Sequence, residues 1–121
     1  MEELKTNTPT VPTARRSGDA ILLSLKGEID LHNSPAVRTL FLDLLKTYNP
    51  KRFVLNLTDV PYMDSSAIAV LVEALQKLRK TGGKIYLTNL QPRVRGLLEI
   101  ARLDSIFVLV KDEDEALQEP K

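Results

Sequence analysis

Apolar residues recur at three- and four-residue steps in two central stretches of the chain, and this spacing predicts two amphipathic helices. The first begins at Ser34-Pro35, because serine is a favoured N-cap and proline suits the first helical position, and it ends at Asn49-Pro50. The second follows Asp64, the predicted N-cap, and has Ser65 as its first helical residue. The apolar positions are Val37, Leu40, Phe41, Leu44 and Leu45 in the first helix and Ile68, Leu71, Val72, Leu75 and Leu78 in the second.

Short apolar runs on either side of these helices predict strands. Residues 53–57 are mostly apolar and partly β-branched, which is typical of a strand buried on both faces. Residues 11–16 predict a weak edge strand, which turns at residues 17–19 into a second strand at residues 20–25. The pattern also predicts strands at residues 84–88 and 106–110, helices that start at Pro92 and Asp112, and a helix end at Thr81-Gly82-Gly83.

A hairpin followed by strands that alternate with helices predicts a single α/β domain, with a mixed, mostly parallel sheet and about four helices. Residues 1–10 are expected to form a flexible N-terminal tail, since they offer almost nothing to bury, and residues 11–121 to form the domain. Functional groups in such sheets gather at the carboxyl ends of the strands. Asp30 and Asp64-Ser65 both fall there, so we expect them to converge.

The composition narrows the classes of partner and chemistry. The 121 residues carry 17 basic and 16 acidic side chains, a net charge of +1, which gives no indication of nucleic-acid binding. The absence of cysteine excludes thiol catalysis and cysteine-based zinc sites. No nucleotide-binding fingerprint, metal-ligand spacing, signal peptide or membrane-spanning run is present. We expect a cytoplasmic protein without cofactor, metal or direct membrane insertion.

Two interpretations of the serine-rich junction follow from chemistry alone. Asp64, Ser65 and Ser66 are all common helix-capping residues, and capping is the simpler interpretation. A relay of Ser65, His32 and Asp30 is the catalytic alternative, because His32 is the only histidine and lies on the loop that should reach the same face. The glycines of a G-x-S-x-G nucleophile elbow are missing, and no oxyanion hole can be identified, so we expect no enzyme activity.

Five segments, taken together and in order, resemble the STAS domain family of anti-sigma factor antagonists and of the cytoplasmic tails of sulfate transporters. The residues at positions 27–30 are similar to the family's G-E-[LI]-D segment, and those at 54–57 to its V-L-[DN]-L strand. Met63-Asp64-Ser65-Ser66 resembles its D-S-[ST] switch, and residues 81–85 and 91–94 follow in the expected order. Ala67 and Ala69 stand where the family commonly has glycines.

The resemblance implies an anti-sigma factor antagonist that acts by partner switching. In such proteins the serine after the aspartate, here Ser65, is phosphorylated by an anti-sigma factor that is itself a serine kinase, and a phosphatase reverses the change. The unphosphorylated form binds the kinase and frees a sigma factor. The expected partner-binding residues are Asp30, Asp64, Ser65, Ser66 and Ala67. The alternative within the family is a STAS subunit of a bacterial phospholipid-transport ABC complex that binds the ATPase subunit. A monomer is expected.

Overall fold

The fold is a six-stranded mixed sheet with four helices, seen in a computed structural model that describes residues 1–120. The predicted α/β class and mixed sheet are confirmed. In chain order the elements are β1 (Glu2–Leu4), β2 (Thr13–Ser17), β3 (Ala20–Lys26), α1 (Ser34–Tyr48), β4 (Arg52–Asp59), α2 (Ser65–Arg79), β5 (Lys84–Thr88), α3 (Pro92–Ile100), β6 (Val108–Val110) and α4 (Glu113–Gln118).

The spatial order of the strands is the same as their order in the chain. β1, β2 and β3 pair antiparallel, whereas β3, β4, β5 and β6 pair parallel. Each parallel crossover leads to the adjacent strand in the same direction, so right-handed connections place α1, α2 and α3 on one face of the sheet. The carboxyl ends of β3 and β4 therefore lie side by side, each at the approach to a helix.

Alternate residues of the central strands serve two separate apolar cores. On the larger core face, Ile21 and Phe53 pack under α1, α2 and α3, and the Phe53 ring meets Phe41 edge-on with centroids 5.1 Å apart. On the other face, Val54 and its neighbours pack against Ala116 of the short helix α4. The prediction of a central strand buried on both faces is confirmed.

The N-terminal segment differs from the predicted tail. β1 pairs along β2, and the Thr10 carbonyl accepts a hydrogen bond of 2.8 Å from the Lys26 backbone N–H. β2 is consequently an interior strand, and the prediction of an edge strand at residues 11–16 is wrong. The physical reason is that a sheet edge offers backbone hydrogen bonds to any extended segment, including a polar one, so side-chain hydropathy alone misses it. Glu2 and Arg16 add an ion pair at 3.0 Å.

The link between α2 and β5 is built by two glycines, as the sequence predicts. Gly82 has φ +79°, a left-handed conformation that ordinary residues rarely adopt. Gly83 passes so close to α2 that a Cβ there would lie 2.6 Å from Leu78 Cδ2 and 2.9 Å from the Pro50 carbonyl oxygen. The chain therefore turns sharply enough to lay β5 directly beside β4.

Candidate functional site

The start of α2 is capped by the side chain of Asp64, as predicted. Asp64 has extended backbone angles, with φ −97° and ψ −174°. Its Oδ1 accepts hydrogen bonds from the Ser66 backbone N–H at 2.9 Å and from the Ala67 N–H at 3.4 Å. These amides belong to the first turn, where no helical carbonyl is available to them. Ser65 is the first helical residue.

The two serines that follow Asp64 have different hydrogen bonding. The Ser66 hydroxyl donates to Asp64 Oδ1 at 2.5 Å and is partly buried. The Ser65 side chain is exposed, and its hydroxyl forms no hydrogen bond with any part of the chain from residue 1 to 120. The Ser66 hydroxyl is therefore bound within the helix cap, whereas the Ser65 oxygen faces solvent at the positive end of the helix dipole.

The loop after β3 lies against this helix start through backbone hydrogen bonds. Ile29 and Met63 form a parallel bridge, in which the Ile29 N–H donates to the Tyr62 carbonyl at 3.1 Å and the Asp64 N–H donates to the Ile29 carbonyl at 3.0 Å. The Leu31 backbone N–H also contributes to lowering the pKa of the Asp64 carboxyl. The predicted convergence of the Asp30 segment with Asp64-Ser65 is thus present in the structure.

Polar side chains within the loop bond mainly to the loop itself. Asp30 Oδ1 accepts from the backbone N–H groups of His32 at 2.9 Å and Asn33 at 3.4 Å. The Asn33 side chain also bonds within the loop. Its Oδ1 accepts a hydrogen bond from the Asp30 N–H, and its Nδ2 donates one to the Glu28 carbonyl, both at 2.8 Å. These bonds hold residues 28–33 in one conformation.

The catalytic relay considered for Ser65 is not assembled. The His32 side chain is 97% exposed, and its Nδ1 lies 3.7 Å from Asp30 Oδ1, beyond hydrogen-bond distance. Among residues 1–120, no hydrogen bond joins His32 to Ser65. A base this exposed and not bonded to Ser65 has no means of activating its hydroxyl. The Ser65 hydroxyl therefore has no bonded base among the described residues.

Hydrogen bonding at the cap shifts the acidity of Asp64. The Ser66 hydroxyl is the main cause that holds the pKa of the Asp64 carboxyl below its usual value, and the backbone N–H groups of Ser66, Ala67 and Leu31 act in the same direction. Partial desolvation opposes them but is the weaker influence overall. Asp64 is therefore ionised at neutral pH.

The two alanines that replace family glycines occupy different environments. Ala67 is only 4% exposed and belongs to the larger apolar core, whereas Ala69 is exposed. The Ala67 methyl group therefore packs into the larger core instead of the surface. Ala69 is the alanine that a docked protein could contact directly.

Two features near the site were not predicted from the sequence. Leu31 is 74% exposed, although it is apolar and directly follows Asp30. Tyr62 stacks under the Arg93 guanidinium, with 4.4 Å between the guanidinium carbon and the ring centroid, which ties the start of α3 to the segment before Asp64. The signal for Leu31 was a leucine between the polar residues Asp30 and His32. The Tyr62–Arg93 pair joins residues far apart in sequence and had no such signal.

Neither a metal site nor a membrane span was found in the described part of the chain. Residues 1–120 contain no group of three or more histidine, cysteine or acidic side chains placed to hold a metal ion. No helix among those residues is long and apolar enough to cross a membrane.

The STAS domain family model matches residues 11–116, and the chain belongs to that family. The resemblance identified from the five segments is confirmed. An anti-sigma-B factor antagonist from Bacillus subtilis is 32% identical over 100 residues, covering 82% of this chain and 90% of the relative. The crystal structure of an anti-sigma factor antagonist from Mycobacterium paratuberculosis has a TM-score of 0.77 and 25% identity, covering 86% of this chain and 87% of the other.

Structures of the Bacillus anti-sigma factor antagonist SpoIIAA share the fold at lower identity. The unphosphorylated form has a TM-score of 0.69 at 16% identity and covers 86% of this chain and 91% of the other. The phosphorylated form has a TM-score of 0.68 at 20% identity and covers 86% and 94%. The present fold is thus about equally similar to both phosphorylation states of that protein.

Proposed function

We propose that this protein is an anti-sigma factor antagonist controlled by phosphorylation of Ser65. The observation that carries the proposal is the contrast between the exposed, unbonded Ser65 hydroxyl and the Ser66 hydroxyl bound to Asp64. The unphosphorylated form binds an anti-sigma factor that is a serine kinase, and a sigma factor is released. A phosphatase restores the bound state. The protein acts in the cytoplasm as a monomeric binding partner and carries out no catalysis itself.

The physical basis of the switch is a local change of charge. A phosphate on Ser65 adds roughly −1.5 to −2 charges at neutral pH, directly beside the ionised Asp64. The amides and dipole at the start of α2 partly stabilise the added charge, so the fold persists. A kinase surface shaped for a neutral serine loses affinity, because it meets a hydrated dianion next to an existing carboxylate. Binding is therefore lost without unfolding.

The surface proposed for partner binding includes Asp30, Asp64, Ser65 and Ser66, with Ala67 as its buried support. Asp64 and Asp30 hold the backbone of the helix start and of the adjacent loop in fixed positions. The relatives named as anti-sigma factor antagonists support this assignment at the level of the class of partner.

Phosphorylation by a purified kinase tests the proposal. The protein is incubated with ATP and each anti-sigma factor kinase of its source organism, and the modified residue is located by peptide mass spectrometry. We expect one phosphate on Ser65, normal labelling of the Ser66→Ala variant and none of Ser65→Ala. Phosphate on another residue, or no labelling by any of these kinases, would contradict the proposal. Co-purification with an ABC-transporter ATPase instead would indicate the phospholipid-transport alternative.

A further inference from the structure

Leu31 is one of three large apolar side chains that are mostly exposed in the described part of the chain, together with Met1 and Ile100. A single exposed leucine needs no functional explanation in general. Leu31 differs from the other two in its position, because it lies two residues after Ile29, whose carbonyl accepts a hydrogen bond of 3.0 Å from the Asp64 N–H. Asp64 caps the helix that begins at Ser65, so this bond fixes the Leu31 loop to the helix start that carries Ser65.

The backbone around Leu31 is already ordered in the free protein. Asp30 and Asn33 bond to each other's segments on either side of Leu31, and the Ile29–Met63 bridge fixes the loop to the α2 start. An apolar side chain on a rigid loop costs less entropy to bind than one on a mobile loop. Such preorganised apolar residues are the ones that act as anchors in protein interfaces.

We infer that Leu31 is the apolar anchor of the surface through which the anti-sigma factor recognises Ser65. This inference rests on the proposed function and adds the chemistry of the partner. The partner carries an apolar pocket for the Leu31 side chain, directly beside the contact that it makes with the Ser65 hydroxyl. Asp30 and Asp64 bound this contact, so the rim of the pocket carries hydrogen-bond donors or basic groups.

The position of Leu31 also explains why a phosphate on Ser65 would act strongly. An apolar contact requires that water leave both surfaces. A phosphate on Ser65 keeps its hydration water, which prevents the partner's pocket from closing around the Leu31 side chain. The loss of affinity on phosphorylation then includes a loss of Leu31 burial in addition to charge repulsion.

Binding of a purified anti-sigma factor to matched leucine and isoleucine variants tests the inference. By isothermal titration calorimetry we expect Leu31→Ala to raise Kd on the order of tenfold or more, the effect of leaving one leucine side chain unburied. Leu31→Met keeps Kd within about threefold, because methionine fills a similar volume. Ile100→Ala, which removes an even more exposed apolar side chain on α3, leaves Kd unchanged.

A kinetic readout separates recognition from folding. With the kinase we expect Leu31→Ala to raise KM for Ser65 phosphorylation about tenfold and to leave kcat unchanged, since the lost contact is the same in the bound complex and the transition state. The variant's melting temperature stays that of the wild type because Leu31 is exposed. If wild type and Leu31→Ala bind equally, or if Ile100→Ala weakens binding as much, this inference alone is wrong. If no anti-sigma factor binds the wild type, the proposed function is wrong and the inference with it.

Discussion

The starts of α1 and α2 are two helix N-termini at the same edge of the sheet, and both combine an aspartate or asparagine with a serine. At α1, Asn33 is the N-cap but makes no side-chain cap bond, and Ser34 is buried at 5% exposure. At α2, Asp64 makes the cap bonds and Ser65 is exposed. Similar residues thus produce a buried serine at the start of α1 and a serine with an exposed hydroxyl at the start of α2.

The difference arises from where the polar side chains form their bonds. Around α1 the side chains of Asp30 and Asn33 bond within their own loop, and Ser34 is buried beside a small cavity that Val37 and Phe41 also line. Around α2, the Asp64 carboxylate accepts hydrogen bonds from the Ser66 and Ala67 N–H groups and from the Ser66 hydroxyl. The Ser65 hydroxyl takes part in none of these hydrogen bonds, so a modification there would break none of them.

Introducing a charge at each serine should produce the largest contrast. We expect Ser34→Asp to lower Tm by about 10 °C or more, because a carboxylate would replace a buried hydroxyl among apolar groups. Ser65→Asp should leave Tm within about 3 °C of the wild type, because its side chain is exposed at a helix N-terminus. Thermal unfolding followed by circular dichroism measures both. Equal losses of Tm would show that the two helix starts are not distinct.

A charge at Ser65, which should change Tm little, should change the affinity for the partner strongly. We expect Ser65→Asp to raise the Kd of the anti-sigma factor complex on the order of 100-fold, the cost of an unpaired charge at an interface. Ser65→Ala should keep Kd within about threefold, since it leaves the surface neutral. Titration calorimetry with Ser66→Ala as a second control checks this. If Ser65→Asp and Ser65→Ala bound equally well, the phosphorylation switch would be refuted.

Removing the side chain at each N-cap should distinguish their structural roles. We expect Asp64→Ala to lower Tm by about 5–10 °C, because it frees the N–H groups of Ser66 and Ala67 together. Asn33→Ala breaks only bonds within the loop and should lower Tm by about 5 °C or less. Hydrogen exchange provides the local readout: the Ser66 and Ala67 amides should exchange faster in Asp64→Ala. Unchanged exchange at both amides would contradict the capping role of Asp64.

Acid titration should give the smallest effect, and it tests the cap at the start of α2. Since the pKa of Asp64 is lowered on folding, its ionisation stabilises the native state above its ordinary pKa of about 3.9. That contribution is lost as pH falls through the folded pKa. In Ser66→Ala, which lacks the main cause of the shift, stability measured by urea unfolding from pH 6 to 2.5 should fall less steeply. An identical acid profile would rule out this role of the Ser66 hydroxyl.

The sequence predicted the elements whose cause is local. The first helix ends before Asn49-Pro50 as predicted, and β5 and the starts of α2 and α3 lie at the predicted residues. The start of α1 was misplaced by one residue, because Ser34 is a good N-cap in isolation but is drawn into the first turn by the bonds of Asp30 and Asn33. β1 was missed because its strand depends on a partner edge, not on its own hydropathy.

The sequence by itself determined the α/β class, the family and the capped helix start that contains Ser65. The reason is that hydrophobic spacing, capping residues and the glycines that follow a helix act over a few neighbouring residues. The Asp64–Ser66 hydrogen bond that distinguishes the two serines is itself local, since it spans two residues. Only the tertiary structure decided which loop lies against this helix start, through the bridge that brings Ile29 beside Met63. It also left Leu31 exposed and buried Ala67 in the larger core, since exposure and burial are set by packing between distant segments.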